Sequence, residues 1–432
     1  MLTIKIWDCL TKDEQKACLK RPVQKYKERE QAVQEILIQV REQGDAALYE
    51  LTTRFDQVNL SSIRTSITTK DSSALPLKTL KAIEQAIRNI RAYHKTQLPQ
   101  TQRMSPISGV TITTVYKPLK RVGIYVPQGL ISSLLMQVVP AQVAGCAEII
   151  ICTPPNAEGE IAASIRGAAA LCGIDKIYTL GGAHAIAAMA YGTETVPKVD
   201  KIFGPGNSYV TQAKNIVAQD PEGAAIDLPA GPSEAMIVAG KEANPDFIAA
   251  DLLAQAEHGG DSQVILICDN EGLALRVNEA LRQQAKKLPR TPIVQQAFAQ
   301  SCILISTNLS QTLKIINEYA PEHLLLQGSD VEPLSDQVQA AGTIFRGAWA
   351  AEALGDYATG SNHVLPTYGF ARNHRGLSTR DFFTGFTVQD VNRQGLKSLA
   401  ETVMTLAKME QLTAHAYAVQ VRLNALEVGQ CL

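Results

Sequence analysis

The chain has 432 residues, of which 45% are hydrophobic and 19% are charged, and its formal net charge is −1. This length predicts more than one domain, and this composition excludes a largely disordered chain. The 41 basic and 42 acidic residues are spread along the sequence, which argues against nucleic acid as a partner.

The sequence also lacks the signals of secretion and membrane insertion. No continuous apolar segment with a small-residue cleavage site stands at the N-terminus, and polar residues and prolines interrupt the most apolar zone, 122–153. The eight cysteines form no C-x-x-C pair, and several lie in apolar segments, which predicts buried reduced thiols. We therefore expect a cytoplasmic protein that does not cross a membrane.

Hydrophobic periodicity predicts surface helices within 10–55 and 76–95, and helical segments again after about 395. Between them, β-rich segments alternate with helical ones. The predicted strands lie at 148–152, 176–180, 201–203, 235–239, 263–268, 302–306, 323–327 and 342–346. The predicted helices lie at 157–171, 182–191, 208–219, 244–258, 271–287 and 309–319.

This repeated βα pattern predicts an α/β fold with two Rossmann-like doubly wound domains, built on incomplete parallel sheets, plus small helical N- and C-terminal domains. Ligands of such sheets bind at the carboxyl ends of the strands. Composition shifts suggest the domain boundaries. These shifts lie near 122, 236 and 377. We expect an N-terminal helical segment at 1–20, a discontinuous first Rossmann-like domain at 21–122 and 237–376, a second at 123–236, and a C-terminal helical segment at 377–432 that docks on another subunit as a dimerisation segment.

One candidate site lies in the stretch 355–366, which is too rich in Gly and Pro to form one continuous helix. Asp356 and His363 stand seven residues apart in it. Loops on a rigid scaffold often carry binding and catalytic side chains, so the stretch is a candidate site. A solvated aspartate and a capping histidine are the alternative.

A possible metal site begins with Gln255 and His258, which are three residues apart at the predicted end of a helix and share one face. A helix C-terminus also favours a histidine without any ion. Asp356 and His415 complete a plausible set of ligands for zinc, although spacing alone does not select these four residues.

Glu322 and His323 directly follow a predicted helix at the start of a predicted strand. An imidazole near neutrality suits removal of a hydroxyl proton, and a neighbouring carboxylate can activate water. A solvated glutamate and a structural histidine remain the alternative for an isolated pair. His94, at the end of a predicted helix, is expected to be solvated or to stabilise the helix C-terminus.

Glycines open two of the predicted helices, at Gly181-Gly182 and at 204–207. Backbone N–H groups at such a turn can approach a phosphate closely, so a nucleotide is possible there. Neither turn matches the G-x-G-x-x-G fingerprint, and tight packing of helix on strand explains the glycines equally well.

Read together, these segments resemble the histidinol dehydrogenase family, the enzymes of the last two oxidations in histidine biosynthesis. The resemblance covers nearly the whole chain from about residue 20. Its carriers are Gly181-Gly-Ala-His-Ala-Ile-Ala-Ala, Phe203-Gly-Pro-Gly-Asn207, Asp227-Leu-Pro-Ala-Gly-Pro-Ser-Glu234, Gln255-Ala-Glu-His-Gly259, Tyr319-Ala-Pro-Glu-His323, Gly355-Asp-Tyr through His363-Val-Leu-Pro366, and Leu412-Thr-Ala-His415.

The resemblance implies roles for these residues. It implies one zinc ion per subunit, bound by Gln255, His258, Asp356 and His415, with the imidazole and amino nitrogens of L-histidinol at the remaining positions. It implies His323 as the general base of both oxidations and Glu322 as the residue that activates water. The implied substrate-binding residues are Ser233, Gln255, His258, His323, Asp356, His363, Glu410 and His415. The implied contacts to NAD+ are Tyr125, His184 and Asn207.

The family likeness further implies a homodimer in which the C-terminal segment of one subunit completes the site of the other. Glu410 and His415 would then act in trans. A straight helix would turn these two residues about 140° apart, so we expect a helix break near Leu412-Thr413.

The sequence departs from the family pattern on the nucleotide side. His184 stands where the family usually has a glutamine, the loop at 128–133 is altered, and Thr-Gly-Phe at 384–386 replaces a usually basic pair. An imidazole does not offer the paired donor and acceptor of an amide. We therefore hypothesise weakened or altered NAD+ binding.

Three other functions fit parts of the sequence. A paralogue of the same fold could oxidise another polar alcohol, such as a sulfonated diol. A zinc hydrolase could use His323 and Glu322 to activate water, and it would turn over without NAD+. A noncatalytic dinucleotide-binding or metal-binding protein is hard to reconcile with the five matching site segments.

Overall fold

The fold is described for residues 1–22, 26–228 and 231–427 of a computed structural model. The strands of these residues are β1 (Thr3–Ile6), β2 (Arg64–Ser66), β3 (Gln102–Met104), β4 (Val110–Pro118), β5 (Arg121–Tyr125), β6 (Glu148–Thr153), β7 (Lys176–Thr179), β8 (Lys201–Phe203), β9 (Ala225–Ile226), β10 (Glu234–Ala239), β11 (Gln263–Cys268), β12 (Cys302–Ile305), β13 (His323–Gln327), β14 (Thr343–Arg346) and β15 (Phe383–Val391).

Helices follow most of these strands. They are α1 (Lys12–Leu19), α2 (Tyr26–Gln43), α3 (Asp45–Asp56), α4 (Thr69–Ser73), α5 (Leu77–Lys95), α6 (Ile131–Ala144), α7 (Ala163–Leu171), α8 (Gly182–Tyr191), α9 (Ser208–Gln219), α10 (Pro245–Ala256), α11 (Glu271–Ala285), α12 (Thr291–Phe298), α13 (Leu309–Tyr319), α14 (Glu352–Tyr357), α15 (Arg393–Met409) and α16 (Thr413–Glu427). The chain forms two compact units. The first contains Met1–Gln97 and Leu119–Phe382, and the second contains Leu98–Pro118 and Phe383–Leu432.

The first unit contains two six-stranded sheets with the same internal order. Sheet I has the order β2-β7-β6-β5-β8-β9, and sheet II has the order β1-β12-β11-β10-β13-β14. In each sheet five strands follow the order 3-2-1-4-5 of a doubly wound fold, and one further strand extends the edge. All strands of sheet II pair in parallel, whereas β2 pairs antiparallel with β7 in sheet I. The prediction of a Rossmann-like α/β fold is therefore confirmed.

The sheets are buried because their central strands are continuous apolar segments, as expected when helices cover both faces. All six residues of β10 and all six of β11 are buried. In sheet I, α8 is hydrophobic around its whole circumference and packs into a core with residues of α2 and α3, including Val33 and Leu48. Tyr125, at the end of β5, belongs to the same core.

The sheets to which β1 and β2 belong correct the predicted division of the chain into domains. β2 and the helices α2 and α3 belong with sheet I, so the prediction that 21–122 joins 237–376 is wrong for this part. The segment 1–20 is not purely helical, because β1 pairs in parallel with β12 at the edge of sheet II. Both are short edge strands, and their pairing is made by backbone groups whose partners lie far away in sequence. The exact domain boundaries stay a prediction.

The second unit combines a small antiparallel sheet with two helices. Its sheet has the order β15-β4-β3. The prediction of a purely helical C-terminal segment is therefore wrong for 383–391, which forms β15 and pairs with β4 along nine residues. The helices α15 and α16 are confirmed as two separate helices, because Gln411 between them has a left-handed φ of 61°.

Two further predictions concern the membrane and the thiols. Across the described ranges, no helix is both long enough and apolar enough to span a bilayer. The cysteines of these ranges carry free thiols; Cys146 is half-buried and Cys9 is exposed, whereas the others are buried. The predicted buried thiols are thus largely confirmed, and Cys431 lies outside the described residues.

Candidate functional site

The candidate acid–base residues lie at the amino edge of sheet II. His323 is the first residue of β13, and Glu234 is the first residue of β10, its neighbour in the sheet. Gln255 lies in the last turn of α10, and helices that cross back over a parallel sheet end at this same edge. The prediction that ligands lie at the carboxyl ends of the strands does not hold for these residues.

His323 has one ring nitrogen engaged and the other free. Nδ1 lies 3.3 Å from the carbonyl oxygen of Glu234, which can only accept a hydrogen bond, so Nδ1 carries the proton. Nε2 is buried without a hydrogen-bond partner among the described residues, and it lies 3.8 Å from Oδ1 of Asp356. Burial lowers the pKa of His323 to about 3. The ring is therefore neutral near pH 7, and Nε2 presents a free lone pair.

Glu322 stands beside His323 and is held by the neighbouring strand. Its Oε2 accepts the backbone N–H of Glu234 at 3.0 Å and lies 3.7 Å from Nδ1 of His323. Burial raises the pKa of Glu322 well above its ordinary value, against the lowering effect of that hydrogen bond. The backbone here is fixed by close packing, because a Cβ on Gly342 would lie 2.5 Å from the carbonyl oxygen of Glu322.

A cluster of possible metal ligands faces this pair. Ligand atoms of His258, Glu352 and Asp356 all lie within 4.8 Å of one another. The side chain of His258 is exposed to solvent on one side. The protein atoms around its imidazole ring nevertheless lower its pKa by desolvation. Burial raises the pKa of Asp356 to about 6 and that of Glu352 well above its ordinary value. Cations stabilise such a set of carboxylates, so the donors suit a divalent metal.

Gln255 places a buried amide in the last turn of α10, three residues before His258 of the metal-ligand cluster. It is 0% exposed, and neither its oxygen nor its nitrogen has a hydrogen-bond partner in the parts of the chain described. His258 lies two residues beyond the end of α10, and its backbone N–H donates to the carbonyl of Gln255 at 3.3 Å. The predicted helix 244–258 is therefore two residues too long. An orphaned buried amide normally costs stability, so a ligand for its oxygen is expected.

The segment 355–366 is only partly a loop. Asp356 belongs to the last turn of α14, so the predicted loop is wrong for its first residues. His363 follows in the loop, and its Nδ1 lies 3.0 Å from the carbonyl oxygen of Asp356. Burial lowers the pKa of His363 to about 4. The amide of Asn362 ties the loop to α6, because Nδ2 donates to the carbonyl of Met136 at 2.6 Å.

Behind the site lies a buried ion pair that fixes the start of β10. The guanidinium of Arg21 binds the carboxylate of Glu234 through Nε and through Nη2, the latter at 2.6 Å from Oε1. Nη2 also donates to the carbonyl of Tyr319 at 2.7 Å. Ser233, a predicted substrate-binding residue, directly precedes this anchored glutamate and is half-buried. The pair thus holds both Ser233 and the carbonyl that orients His323.

The candidate nucleotide residues lie at the carboxyl edge of sheet I, as predicted for a doubly wound sheet. Tyr125 ends β5, and its hydroxyl accepts the N–H of Gly182 at 3.2 Å. Asn207 caps α9, because its Oδ1 accepts the N–H groups of Tyr209 and Val210 at 3.0 and 3.2 Å. β5 and β8 are the two strands between which the chain order reverses.

His184 lies in α8 and is only 1% exposed. Its Nε2 lies 3.3 Å from Oγ1 of Thr52 and 3.9 Å from Oδ2 of Asp56, both in α3. Burial lowers the pKa of His184 to about 4, which keeps the ring neutral. The imidazole is thus engaged with a helix on the face of sheet I, and its contact with NAD+ stays a prediction.

Other predicted residues lie apart from this cluster. Glu410 and His415 belong to the second unit, where both are exposed, and their part in the site stays a prediction. Glu410 caps the end of α15 and His415 lies in the first turn of α16, so the predicted helix break is confirmed. His94 is buried and its Nδ1 lies 3.1 Å from Oγ1 of Thr379, so the prediction that it is solvated is wrong.

Sequence reasoning missed Glu352. This residue is 1% exposed and neither carboxylate oxygen has a hydrogen-bond partner within the described ranges. It stands four residues before Asp356 in α14, and side chains with this spacing lie on one face of a helix. A helical reading of 352–357 would have placed the two carboxylates together, but the glycines nearby favoured a loop.

The fold and this set of side chains define a doubly wound α/β enzyme that can transfer a proton beside a cluster of metal-binding groups. The model of the histidinol dehydrogenase family matches residues 19–423. The chain belongs to this family, whose members are oxidoreductases of histidine biosynthesis.

Relatives match over almost their full lengths. A histidinol dehydrogenase of Legionella pneumophila (strain Philadelphia 1) is 57% identical over 430 residues, which cover 99% of this chain and 100% of that protein. One from Vibrio cholerae is 47% identical, covering 98% and 99%. The crystal structure of histidinol dehydrogenase from Elizabethkingia anophelis superposes with a TM-score of 0.93 at 40% identity, covering 99% of both chains.

Proposed function

We propose that this chain oxidises L-histidinol to L-histidine through L-histidinal, with two NAD+ per turnover and one zinc ion per subunit. The observation that carries the proposal is the buried neutral His323, whose free Nε2 faces Asp356 at 3.8 Å. A base in this state can accept a hydroxyl proton without first losing one of its own. Family membership supplies the substrate.

In the first oxidation, Nε2 of His323 takes the proton of the substrate hydroxyl while the carbon–oxygen double bond forms. No side chain can accept the hydride that leaves the same carbon, and NAD+ would supply that acceptor when bound. The carbonyl of Glu234 holds Nδ1 of the imidazole, so Nε2 stays aimed at the substrate. The charge on the imidazolium is offset by the neighbouring carboxylates.

In the second oxidation, water must add to the aldehyde before another hydride can leave. Glu322 lies beside His323 and is buried, so its carboxyl group can exchange a proton with that water. As Glu322 takes a proton from the water, the imidazolium formed in the first step gives its own proton to the carbonyl oxygen of the aldehyde. His323 is then neutral again and accepts a hydroxyl proton of the hydrate, as in the first step. Burial of both residues excludes bulk water, which protects the reactive aldehyde from side reactions.

Zinc fits the residues present. Gln255, His258 and Asp356 would bind it together with His415, and zinc would give the orphaned amide of Gln255 a partner. When bound, zinc would anchor the imidazole and amino nitrogens of the substrate. Ser233, His363 and Glu410 would hold the rest of it. Because β5 and β8 flank the switch point of sheet I, Tyr125, His184 and Asn207 would contact NAD+ there.

The natural experiment is to measure NADH formation from L-histidinol after zinc reconstitution. Two NADH per L-histidinol, with loss of activity on chelation and recovery with zinc, are the expected results. A single NADH per substrate would contradict the four-electron reaction. Turnover of an ester or amide without NAD+ would instead favour the zinc hydrolase, and oxidation of a sulfonated diol in preference to L-histidinol would favour the paralogue.

Variants of the acid–base pair separate the two oxidations. His323→Asn should lower kcat by about 10²–10⁴, the usual contribution of a general base, in both steps. Glu322→Gln should retain the first oxidation and slow the second, so the NADH yield falls toward one and free aldehyde becomes trappable. Equal loss of both steps in Glu322→Gln would contradict the separate role of this carboxyl group.

We further propose a homodimer that acts in the cytoplasm and whose sites are completed in trans by His415 and Glu410. Mixing His323→Asn with His415→Ala subunits tests this directly. In a twofold symmetric dimer each mixed pair regains one intact site, so subunit exchange should restore about a quarter of wild-type activity. If His415 served its own subunit, every site would keep one defect and no activity would return.

A further inference from the structure

Glu352 is a buried carboxylate that the proposed oxidation does not use. Its side chain is 1% exposed, and both oxygens lack a hydrogen-bond partner in the described part of the chain. Burial raises the pKa of Glu352 well above its ordinary value, so the group keeps its proton unless a cation binds it, and buried carboxylates that are ionised are normally paired or coordinate a metal. No Lys or Arg forms an ion pair with Glu352 among the described residues.

The backbone around Glu352 is firmly held. Asp251 lies close to the backbone of Glu352, and the carboxylate of Asp251 accepts Nε2 of Gln327 at 2.7 Å. A Cβ on Gly355, one residue before Asp356, would lie 2.6 Å from the ring of Phe345, so α14 packs tightly against β14. The direction of the Glu352 side chain is therefore set by the fold and not by chance.

The separations suit one ion. Ligand atoms of Glu352, Asp356 and His258 lie within 4.8 Å of one another. Zinc binds oxygen and nitrogen at about 2.0–2.2 Å, so two ligand atoms on opposite sides of one ion are about 4.2 Å apart. In the tetrahedral geometry usual for zinc the ligand atoms lie about 3.4 Å from one another, so these three atoms would close by up to about 1.4 Å when an ion binds. The two carboxylates would also balance the two positive charges of zinc.

We propose that Glu352 is a zinc ligand of the first unit, which completes a four-donor set with Gln255, His258 and Asp356 whenever His415 of the second unit is absent. This inference rests on the zinc dependence of the proposed function. All four side chains belong to one compact unit. The ion would therefore remain bound without a ligand from the second unit.

The test measures zinc directly, by content after gel filtration and by competition with a chelator. Wild type, Glu352→Gln, His415→Ala and the double variant are compared. We expect one zinc per chain in wild type and in His415→Ala. Relative to His415→Ala, the double variant Glu352→Gln/His415→Ala should lose at least tenfold in zinc affinity. After cobalt substitution, the visible absorption of His415→Ala should change when Glu352 is also replaced.

Glu257→Gln is the matched control, because it removes the same charge next to His258 from a half-buried position outside the cluster. If Glu257→Gln weakens zinc binding by His415→Ala as much as Glu352→Gln does, coordination by Glu352 is refuted. Loss of zinc from His415→Ala alone also overturns the proposal. Zinc-free Glu352→Gln should unfold at or above the wild-type temperature, whereas a purely structural role predicts a lower one.

The failure of this inference is distinguishable from failure of the proposed function. Full zinc-dependent oxidation of L-histidinol by the wild type, together with a double variant that binds zinc as tightly as His415→Ala does, would reject the role of Glu352 alone. Oxidation by wild type without any zinc would reject the zinc dependence, and the inference with it.

Discussion

Replacing Arg21 by methionine should destabilise the fold far more than loss of a surface ion pair would. The side chains of Arg21 and Glu234 are 12% and 2% exposed, and the guanidinium carbon lies 3.9 Å from the centre of the Tyr319 ring. The variant would leave the Glu234 carboxylate buried without its cation. Breaking a buried pair in this way costs about 3–5 kcal/mol, against about 0–1 kcal/mol for a surface pair.

The pH dependence of this loss follows from the carboxyl group. Burial already raises the pKa of Glu234 above its ordinary value, even though Arg21 acts to lower it. Without Arg21 the pKa rises further, so the folded variant keeps a proton that the unfolded chain releases. A raised folded pKa gives stability that is present at low pH and lost as pH rises. The penalty should therefore grow between pH 5 and pH 8, by at most about 1.4 kcal/mol per pH unit.

Urea unfolding followed by circular dichroism at both pH values measures this effect. Arg21→Met, Glu234→Gln and the double variant form a cycle with the wild type. The double variant should recover most of the loss, because no unpaired carboxylate remains. A loss below about 1 kcal/mol at pH 8 in Arg21→Met would refute the reasoning, since that value is typical of a solvated pair.

Other variants probe the nucleotide side and the second unit. The pKa of His184 is about 4 in the folded protein and 6.5 in the unfolded chain, so the wild type should lose about 2 kcal/mol of stability by pH 5 in urea unfolding. His184→Gln should remove this loss, and an unchanged pH profile of stability would contradict the reasoning. An unchanged NAD+ dissociation constant in the same variant would refute weakened binding by His184. Gly204→Ala should lose at least about 2 kcal/mol and raise the KM for NAD+, because φ is 117° and the new Cβ would lie 2.2 Å from the carbonyl oxygen of Tyr125. Gly129→Ala, with a φ of 76° and open space, is its control and should lose only about 1 kcal/mol. Gln411→Gly should raise the melting temperature, because glycine adopts the left-handed φ of this position without strain and the gain in the free energy of unfolding is up to about 1 kcal/mol. A lower melting temperature would refute strain at Gln411.

The central strands of both sheets were predictable because each is buried on both faces. The predicted strand 263–268 matches β11, and 235–239 differs from β10 by one residue. Helix ends were also close where a cap marks them, as at Asn308 before α13. By contrast, β1 and β2 are short edge strands with mixed exposure, and α12 is a helix of eight residues that the sequence pattern did not reveal.

The candidate site was predictable only in part. Local sequence singled out Glu322, His323 and Asp356 as candidates, the family resemblance assigned their roles, and the structure brings these three side chains together. The burial that keeps His323 neutral depends on strands from distant parts of the chain, so no local pattern reveals it. Glu352 was missed because Asp356 was assigned to a loop. Residues four apart lie on one face only in a helix, so the two carboxylates were not expected to be neighbours.

The two sheets share a strand order but offer opposite edges for function. The crevice proposed for the dinucleotide opens where the strands of sheet I end, whereas His323 and Glu234 stand where the strands of sheet II begin. Hydride acceptance and proton abstraction are thereby assigned to separate halves of an internally repeated architecture. If NAD+ binds as proposed, substitutions in the turns of sheet I would alter cofactor preference without replacing the proton-transfer residues of sheet II.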